Sequence, residues 1–479
     1  MSDGAAPRRG PTARDVIRAV SSGFAELPGT SAEFRPDGHR AADGPLAWDG
    51  PLAWDGYGVA RERAVERTGE SESVVCGTAV AGGVEVVLIA FEFAFLGGSL
   101  GARTGDRIAA AYAQARARGM PVVSLIATGG SRMQEGMVAL SQLQRVAQES
   151  MLTRRAGLPQ IAVLRDPSTG GGWATLGAGA DVVLALPGAQ VAFAGSRVRP
   201  QGADPHPYSA EGQWEAGHVD QIVGEEELRE ALGRWLTLLT GGSGTAPPPP
   251  GALPGGRPPS VPADGQEAVA RARDALRPRA AAYLDDYFDT REDVRGDRCG
   301  GTDEGTLCGF GRREGRTVAY AAQCGTATRP AGFRTAARLI RTADRLGIPV
   351  LTLIDTPGAA NDAEAERAGA GPAIADAFAA VAEATVPVTS LLIGEGGSGG
   401  ALALAAPGRL WVTPDSYFSV IAPELAAAIL KRPGDEVART ADQLWLRPQD
   451  VVRLGIARGV VDERSSREEP SSSGAARAR

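Results

Sequence analysis

Apolar and polar positions along this 479-residue chain fall into two kinds of pattern. Short uninterrupted apolar runs, bounded by glycine or proline, read as buried strands. Longer stretches in which apolar residues return every three or four places read as amphipathic helices. Val122–Ile126, Ile161–Leu164, Val350–Ile354 and Val388–Ile393 are runs of the first kind. Phe333, Ala336, Ala337, Ile340 and Ala343 share one face of a helix that precedes the third run. Strands alternating with helices predict an α/β fold with parallel strands.

The same pattern occurs twice. Gly119–Gly130 (GMPVVSLIATGG) lines up with Gly347–Gly358 (GIPVLTLIDTPG) at an offset of 228 positions. At that offset Leu158-Pro159 falls on Val386-Pro387, Leu164 on Leu392, and Gly171-Gly172 on Gly399-Gly400. A register kept without gaps over two separate motifs implies two copies of one domain. A Pro/Gly-rich segment, 241–265, separates them and reads as an unstructured linker, with Pro247–Pro250 favouring extended geometry. The chain therefore divides into an N-terminal extension (1–42, partly disordered), a first domain (43–240), the linker, a second domain (266–463) and a disordered tail (464–479). The tandem PLAWDG at 45–50 and 51–56 is too short to be a fold repeat.

Composition excludes more than it suggests. A net charge of −7 argues against a nucleic-acid-binding surface. The four cysteines (Cys76, Cys299, Cys308, Cys324) contain no CxxC pair, so they read as free thiols and not as a zinc site. No apolar leader or membrane-length apolar stretch is present, which predicts a cytoplasmic protein without membrane association.

Chemistry-bearing side chains are few, and glycine takes their place. Thr128-Gly-Gly-Ser-Arg132 leaves one buried strand and enters a helix; Asp166–Gly172 (DPSTGGG) and Gly394–Ala401 (GEGGSGGA) occupy matching places in the two copies. A glycine pair at a helix start lets a ligand oxygen approach two backbone N–H groups, an oxyanion hole suited to a thioester enolate or a ureido oxygen. Tight strand-to-helix packing would also account for any one cluster. Gly394–Gly399 fits GxGxxG as well, but it does not follow the first strand of its unit and has no counterpart in the first copy, which disfavours a dinucleotide site. The three histidines (His39, His206, His218) are scattered, and neither Ser131 nor Ser398 has an evident His–Asp partnership. Asp355 and Glu395 end buried strands, where capping or sheet-edge contacts explain them equally well. A reaction whose cosubstrate brings its own base fits this inventory.

Longer motifs carry a family resemblance. Phe91–Gly101 (FEFAFLGGSLG), Thr128–Gly136 (TGGSRMQEG), Asp166–Gly172 and Phe193–Arg197 (FAGSR) resemble the β subunit of bacterial acetyl-CoA carboxylase carboxyltransferase. Ile354–Gly358 (IDTPG), Ile393–Ala403 (IGEGGSGGALA) and Tyr417–Glu424 (YFSVIAPE) resemble its α subunit. The resemblance implies two tandem crotonase-like (ClpP/crotonase) ββα-spiral domains, the β-type half on the acyl-CoA side and the α-type half on the biotin side. It implies a biotin-dependent carboxyltransferase in which carboxybiotin, on a separate carrier protein, supplies the carboxyl group to a short acyl-CoA such as acetyl-CoA. Biotin carboxyl carrier protein and biotin carboxylase would be partners, and the active site would form between protomers of a homodimer or higher homo-oligomer. Carried over, Gly129 and Gly130 steady one oxyanion and Gly400 with Ala401 the other. Gly97, Gly98, Gly171 and Gly172 shape the CoA side and Gly396, Gly397 and Gly399 the biotin side, with Arg132 also among the substrate-binding residues.

Three departures stand out. The β subunit's four-cysteine zinc ribbon is absent, so no zinc is expected. The segment between Tyr320 and Gly332 is short and lacks the α subunit's lysine. Residues 361–367 lack the usual Tyr-Pro. A biotin-independent malonyl-thioester decarboxylase and a non-catalytic paralogue acting as an assembly partner remain as alternatives.

Overall fold

The computed structural model describes residues 10–28, 50–254 and 260–462. The rest of the N-terminal extension, most of the first PLAWDG copy and the tail at 464–479 lie outside the described residues.

Two sheets, one per half, organise the chain. The first contains β1 (Ser22–Glu26), β2 (Val74–Ala81), β3 (Val84–Phe91), β4 (Val122–Thr128), β5 (Gln160–Thr169), β6 (Val182–Ala185), β7 (Val191–Ala192) and β8 (Gln221–Ile222). They run in the order β1-β2-β3-β4-β5-β6-β8, with β7 also on β5. The second contains β9 (Thr290–Val294), β10 (Thr306–Arg313), β11 (Arg316–Gln323), β12 (Val350–Thr356), β13 (Val388–Gly397), β14 (Leu410–Val412) and β15 (Tyr417–Ser419). Here the order is β9-β10-β11-β12-β13-β14, with β15 also on β13. In each sheet an antiparallel hairpin leads into parallel strands.

The repeat seen in the sequence is a repeat of hydrogen-bond register. Val122 pairs with Gln160 and Thr128 with Ser168; Val350 pairs with Val388 and Thr356 with Gly396. All four positions of the first sheet recur 228 residues on, and the same irregularity interrupts both ladders one residue before their end. β4 and β12 are buried at every position, as expected for central parallel strands covered on both faces. The helix Pro330–Arg345 starts with proline at its first turn, and Phe333, Ala336, Ala337, Ile340 and Ala343 are all buried, as the spacing predicts. The strands outrun the apolar runs: β5 and β13 continue to Thr169 and Gly397 because polar and glycine residues there still pair with β7 and β15.

The hairpins β2–β3 and β10–β11 open each copy and were not anticipated. Their turns carry the appropriate signals, Gly82-Gly83 and Glu314-Gly315, all with positive φ.

Two boundaries need correction. Residues 10–28 are part of the first domain and not an appendage. The helix Ala13–Val20 buries Val16, Ile17 and Val20, Ala13 N–H donates to Glu92 Oε2 at 2.8 Å, and β1 extends the sheet on β2. Residues 241–254 join the halves but are not unstructured. Prolines cannot donate to a ladder, yet their carbonyls still accept: Pro247 O takes Thr389 Oγ1–H and Pro248 O takes Tyr287 O–H, both at 2.8 Å.

The halves share one apolar core. The helix Leu228–Leu239 buries Leu232, Trp235, Leu236 and Leu239 among Leu88 and Val16 of the first half and Phe310, Ile340 and Leu410 of the second. The Trp235 ring meets Phe310 edge-on at 6.3 Å, and its indole N–H donates to Gln221. Polar seams flank the core: Arg345 pairs with Asp181 at 2.5 Å, and Asp220 receives both Arg298 and Arg338. Trp235→Ala therefore strikes both halves at once. We expect a loss of about 3–5 kcal/mol, seen in denaturant melts as one displaced transition and not as selective loss of one half.

Candidate functional site

The parallel strands β3, β4 and β5 deliver three loops to one edge of the first sheet. Gly97 and Gly98 lie in the loop after β3 with φ of 68° and 62°. A Cβ on Gly98 would stand 2.1 Å from Ala127 O, so only glycine fits. The loop after β4 is laced to it: Gly129 N–H donates to Gly97 O, Leu100 N–H to Gly130 O and Arg132 N–H to Leu100 O, each at 2.9 Å. The turn after β5 closes the group. A Cβ on Gly170 would reach Gly130 Cα at 3.0 Å, one on Gly172 Thr128 Cγ2 at 2.4 Å, and one on Gly171 Leu143 Cδ2 at 2.3 Å. The structure thus brings Gly97, Gly98, Gly129, Gly130, Gly171 and Gly172 together.

The second half repeats the arrangement. A Cβ on Gly397 would stand 1.9 Å from Pro357 O, one on Gly400 2.4 Å from Ala359 N, and one on Gly396 1.9 Å from the Phe418 ring. Gly397 and Gly400 are therefore packed against the turn Pro357–Ala359 that follows β12, Gly396 packs on β15, and Ala401 is buried beside Gly400.

The register shows that the two glycine pairs expected to hold oxyanions are not equivalent positions. Gly130 corresponds to Gly358, whereas Gly400 corresponds to Gly172. The donors also differ. Gly130 N–H and Gly358 N–H each donate to a threonine hydroxyl two residues back, Thr128 at 3.0 Å and Thr356 at 3.1 Å. Gly129 N–H is held by Gly97 O. In the helix Ser398–Leu402 the opening N–H groups, those of Gly399 and Gly400 among them, have no intrahelical acceptor.

Of the glycines at these strand-end turns, two are required neither by packing nor by conformation. Gly399 would meet nothing within 4 Å if given a Cβ, and Gly129 only Gly97 O at 3.4 Å; neither has positive φ. Bare backbone facing open space at a strand-end turn of each half is what close approach of a ligand calls for.

Arg132 requires a correction. Its side chain is 1% exposed and engaged with buried partners. It forms a buried pair with Glu72 and also reaches Glu135 Oε1, Tyr57 Oη and Ser99 Oγ, each at 3.2 Å. Glu135 in turn accepts Ala102 N–H at 2.6 Å and the Tyr57 hydroxyl. Arg132 is thus the anchor of the Gly129–Gly130 loop. Burial alone would raise the Glu72 carboxyl, but the Arg132 guanidinium beside it overrides this and holds it well below the usual carboxylate range.

Carboxylates at the second site are likewise committed. Asp355, fully buried, pairs with Arg277 at 2.5 Å and Arg279 at 3.2 Å. Glu395 pairs with Arg273 at 2.9 Å and accepts Tyr417 O–H at 2.8 Å. His206 lies on the surface against Glu215. His218 packs in the seam between halves, where burial first and the Arg298 charge second lower its imidazole. Ser131 and Ser398 have no histidine partner among the described residues. There, too, no three His, Cys, Asp or Glu side chains gather in a metal-binding cluster.

Comparison with known proteins agrees with this layout. Residues 57–228 match the family model described as the carboxyl transferase domain, and residues 264–477 the one described as acetyl co-enzyme A carboxylase carboxyltransferase-like. The acetyl-coenzyme A carboxylase carboxyl transferase subunits beta/alpha of Saccharopolyspora erythraea is 38% identical over 424 residues, covering 84% of this chain and 73% of the relative. The chain belongs to the acyl-CoA carboxylase carboxyltransferase family. A probable biotin-dependent acyl-coenzyme A carboxylase beta3 subunit of Mycobacterium bovis is 34% identical over 84% of this chain and 83% of its own length. Among solved structures, the hexameric transcarboxylase 12S core shares the fold at a TM-score of 0.75 and 19% identity, covering 97% of this chain and 92% of that one. A single-chain long-chain acyl-CoA carboxylase does so at 0.70 and 18%, over 95% of this chain and 46% of that one. The fold is accordingly that of two tandem crotonase-type carboxyltransferase domains, and the chain is a transferase of this family.

The Arg132–Glu72 pair makes a checkable claim about this carboxyltransferase. The Glu72 carboxyl is depressed in the folded state, so its contribution is present above the ordinary carboxylate pKa of about 4.3 and is lost as pH falls below it. We expect Glu72→Gln to lose about 3 kcal/mol at neutral pH, because it removes the closer of the two carboxylates that compensate a buried guanidinium and leaves only Glu135 at 3.2 Å. Melting temperatures from pH 7 to pH 3 should fall more steeply for the wild type than for the variant.

Proposed function

We propose that this chain moves a carboxyl group from carboxybiotin, borne on a separate carrier protein, to a short acyl-CoA, converting acetyl-CoA to malonyl-CoA. The observation that carries the reading is the pair of glycines, Gly129 and Gly399, whose bare backbone neither packing nor φ explains. Gly129 follows β4 and Gly399 follows β13, one non-equivalent strand end in each half, giving two places for the two oxyanionic partners of such a reaction. A thioester carbonyl and a biotin ureido oxygen are both acceptors; the N–H groups of Gly399 and Gly400 have no intrahelical acceptor, whereas those of Gly129 and Gly130 would exchange their bonds to Gly97 O and Thr128 Oγ1 for the ligand. Biotin supplies the carboxyl group and a ureido nitrogen able to take the α-proton, consistent with Asp355 and Glu395 being tied up in ion pairs. The chain's own part is to hold the two oxygens, to orient them, and to exclude water.

On this reading the first domain, extended by residues 10–28, takes acyl-CoA around Gly97, Gly98, Gly129, Gly130, Gly171 and Gly172. The second, to residue 463, takes biotin around Gly396, Gly397, Gly399, Gly400 and Ala401. Biotin carboxylase and a biotin carboxyl carrier protein are the partners, in the cytoplasm, and no zinc is used. Among the described residues no helix is long and apolar enough to cross a membrane. Apolar side chains left in solvent beside both turns support assembly of like subunits into a homodimer or larger oligomer: Met133 (74% exposed) and Phe193 (74%) in one half, Val420 (72%) and Ile429 (70%) in the other.

The test is malonyl-CoA decarboxylation with and without biocytin. Strict dependence on biocytin supports the transferase, and turnover without it replaces that reading with a biotin-independent decarboxylase. Gly399→Val should remain folded, since nothing stands within 4 Å of the new Cβ, yet lose on the order of 10²-fold in kcat/KM. Wild-type rates from that variant would move the site elsewhere.

A further inference from the structure

Ser398 holds a backbone conformation that its turn imposes but that serine does not favour. Its φ is +56°, in the left-handed region that side-chain-bearing residues rarely adopt. Its counterpart 228 positions earlier is Gly170, with φ of +62°. The first half meets the same geometry with the residue suited to it, and the second half uses serine. Three of the six other described non-glycine residues with positive φ have evident local reasons. Glu314 turns the β10–β11 hairpin, and Lys431 and Trp445 each lie one residue past the C-cap of a helix, where the left-handed conformation is usual. Ser398 instead joins the end of β13, a strand at the centre of its sheet, to the turn containing Gly399.

The side chain is also unengaged. Ser398 is exposed, and among the described residues its hydroxyl has no hydrogen-bond partner. The serine and threonine hydroxyls around it, those of Thr328, Thr356 and Ser419, are all bonded. It also adjoins Gly399, one of the two glycines that packing leaves unexplained.

We infer that Ser398 is a catalytic residue whose hydroxyl donates a hydrogen bond to an oxygen of the group reacting at the second-half turn. The hydroxyl acts as a neutral donor: it forms no covalent bond and gives up no proton, so it needs no histidine or lysine beside it. It adds a side-chain donor to a site otherwise built from backbone. The strained φ is kept because glycine, which would relieve it, has no hydroxyl. The inference rests on the proposed carboxyltransferase reading.

Two variants separate the hydroxyl from the backbone. Ser398→Ala keeps a side chain at the strained position and loses the donor; Ser398→Gly loses both the donor and the strain. In biocytin-dependent decarboxylation of malonyl-CoA, both should lower kcat by about 10-fold or more, as removal of an oxyanion donor does, with KM for malonyl-CoA little changed. The melting temperature of Ser398→Gly should equal or exceed that of the wild type. Opposite signs for stability and rate are the signature that a merely structural serine would not produce. If the wild type turns over with biocytin and Ser398→Ala matches its kcat, the inference is overturned and the carboxyltransferase reading stands. If Ser398→Gly is both less stable and less active, Ser398 is a structural residue and the inference also fails. If the wild type shows no biocytin-dependent turnover, the carboxyltransferase reading falls and the inference falls with it.

Discussion

Contact of backbone against backbone at the strand ends is the constraint on which this molecule depends. At Gly98 against Ala127 O, and at Gly397 against Pro357 O, two loops approach so closely that a single methyl group would overlap a main-chain oxygen. Only glycine permits it, and because the loops touch there, the turns leaving adjacent strands form one surface. The sheet sets where the turns begin, through a ladder whose register and irregularity are the same in both halves. The glycines set how closely the turns sit, and the buried Arg132 cluster and the Asp355 ion pairs hold them from behind.

That arrangement explains why so little conventional chemistry is visible. Where a serine hydrolase needs a nucleophile, a base and an orienting acid, this chain has committed its carboxylates near the turns to arginine. The economy is consistent with a reaction whose cosubstrates bring reactive atoms of their own and ask the protein for position and for stabilisation of negative oxygen.

Much of this was legible in the residues, and the exceptions are instructive. The 228-residue register exposed the duplication because β4 and β5 are buried on both faces and tolerate only apolar residues, so their copies still resemble each other. The hairpins β2–β3 and β10–β11 escaped notice although their turn signals are present. The loop from Phe91 to Ala102 is longer than that from Gln323 to Pro330, and the difference breaks the register just where a gapless comparison would look. The glycine clusters were found by pattern, but pattern could not show that Gly130 and Gly400 occupy different corners of the repeat. Arg132 was placed among the substrate-binding residues by resemblance, and the fold shows it buried among side chains that the sequence does not place beside it. Its partners, Glu72 and Tyr57, lie 60 and 75 positions away in sequence, and only the fold brings them together.

The shared core has a consequence for how the two halves can work. The helix Leu228–Leu239 is buried by residues of both, so the first half could not be severed from the second without exposing Trp235 and its neighbours to water. Fusion in this chain is therefore more than a tether that fixes stoichiometry. The two turns are carried on halves that share one core, so a movement that separated the halves would expose Trp235 and its neighbours.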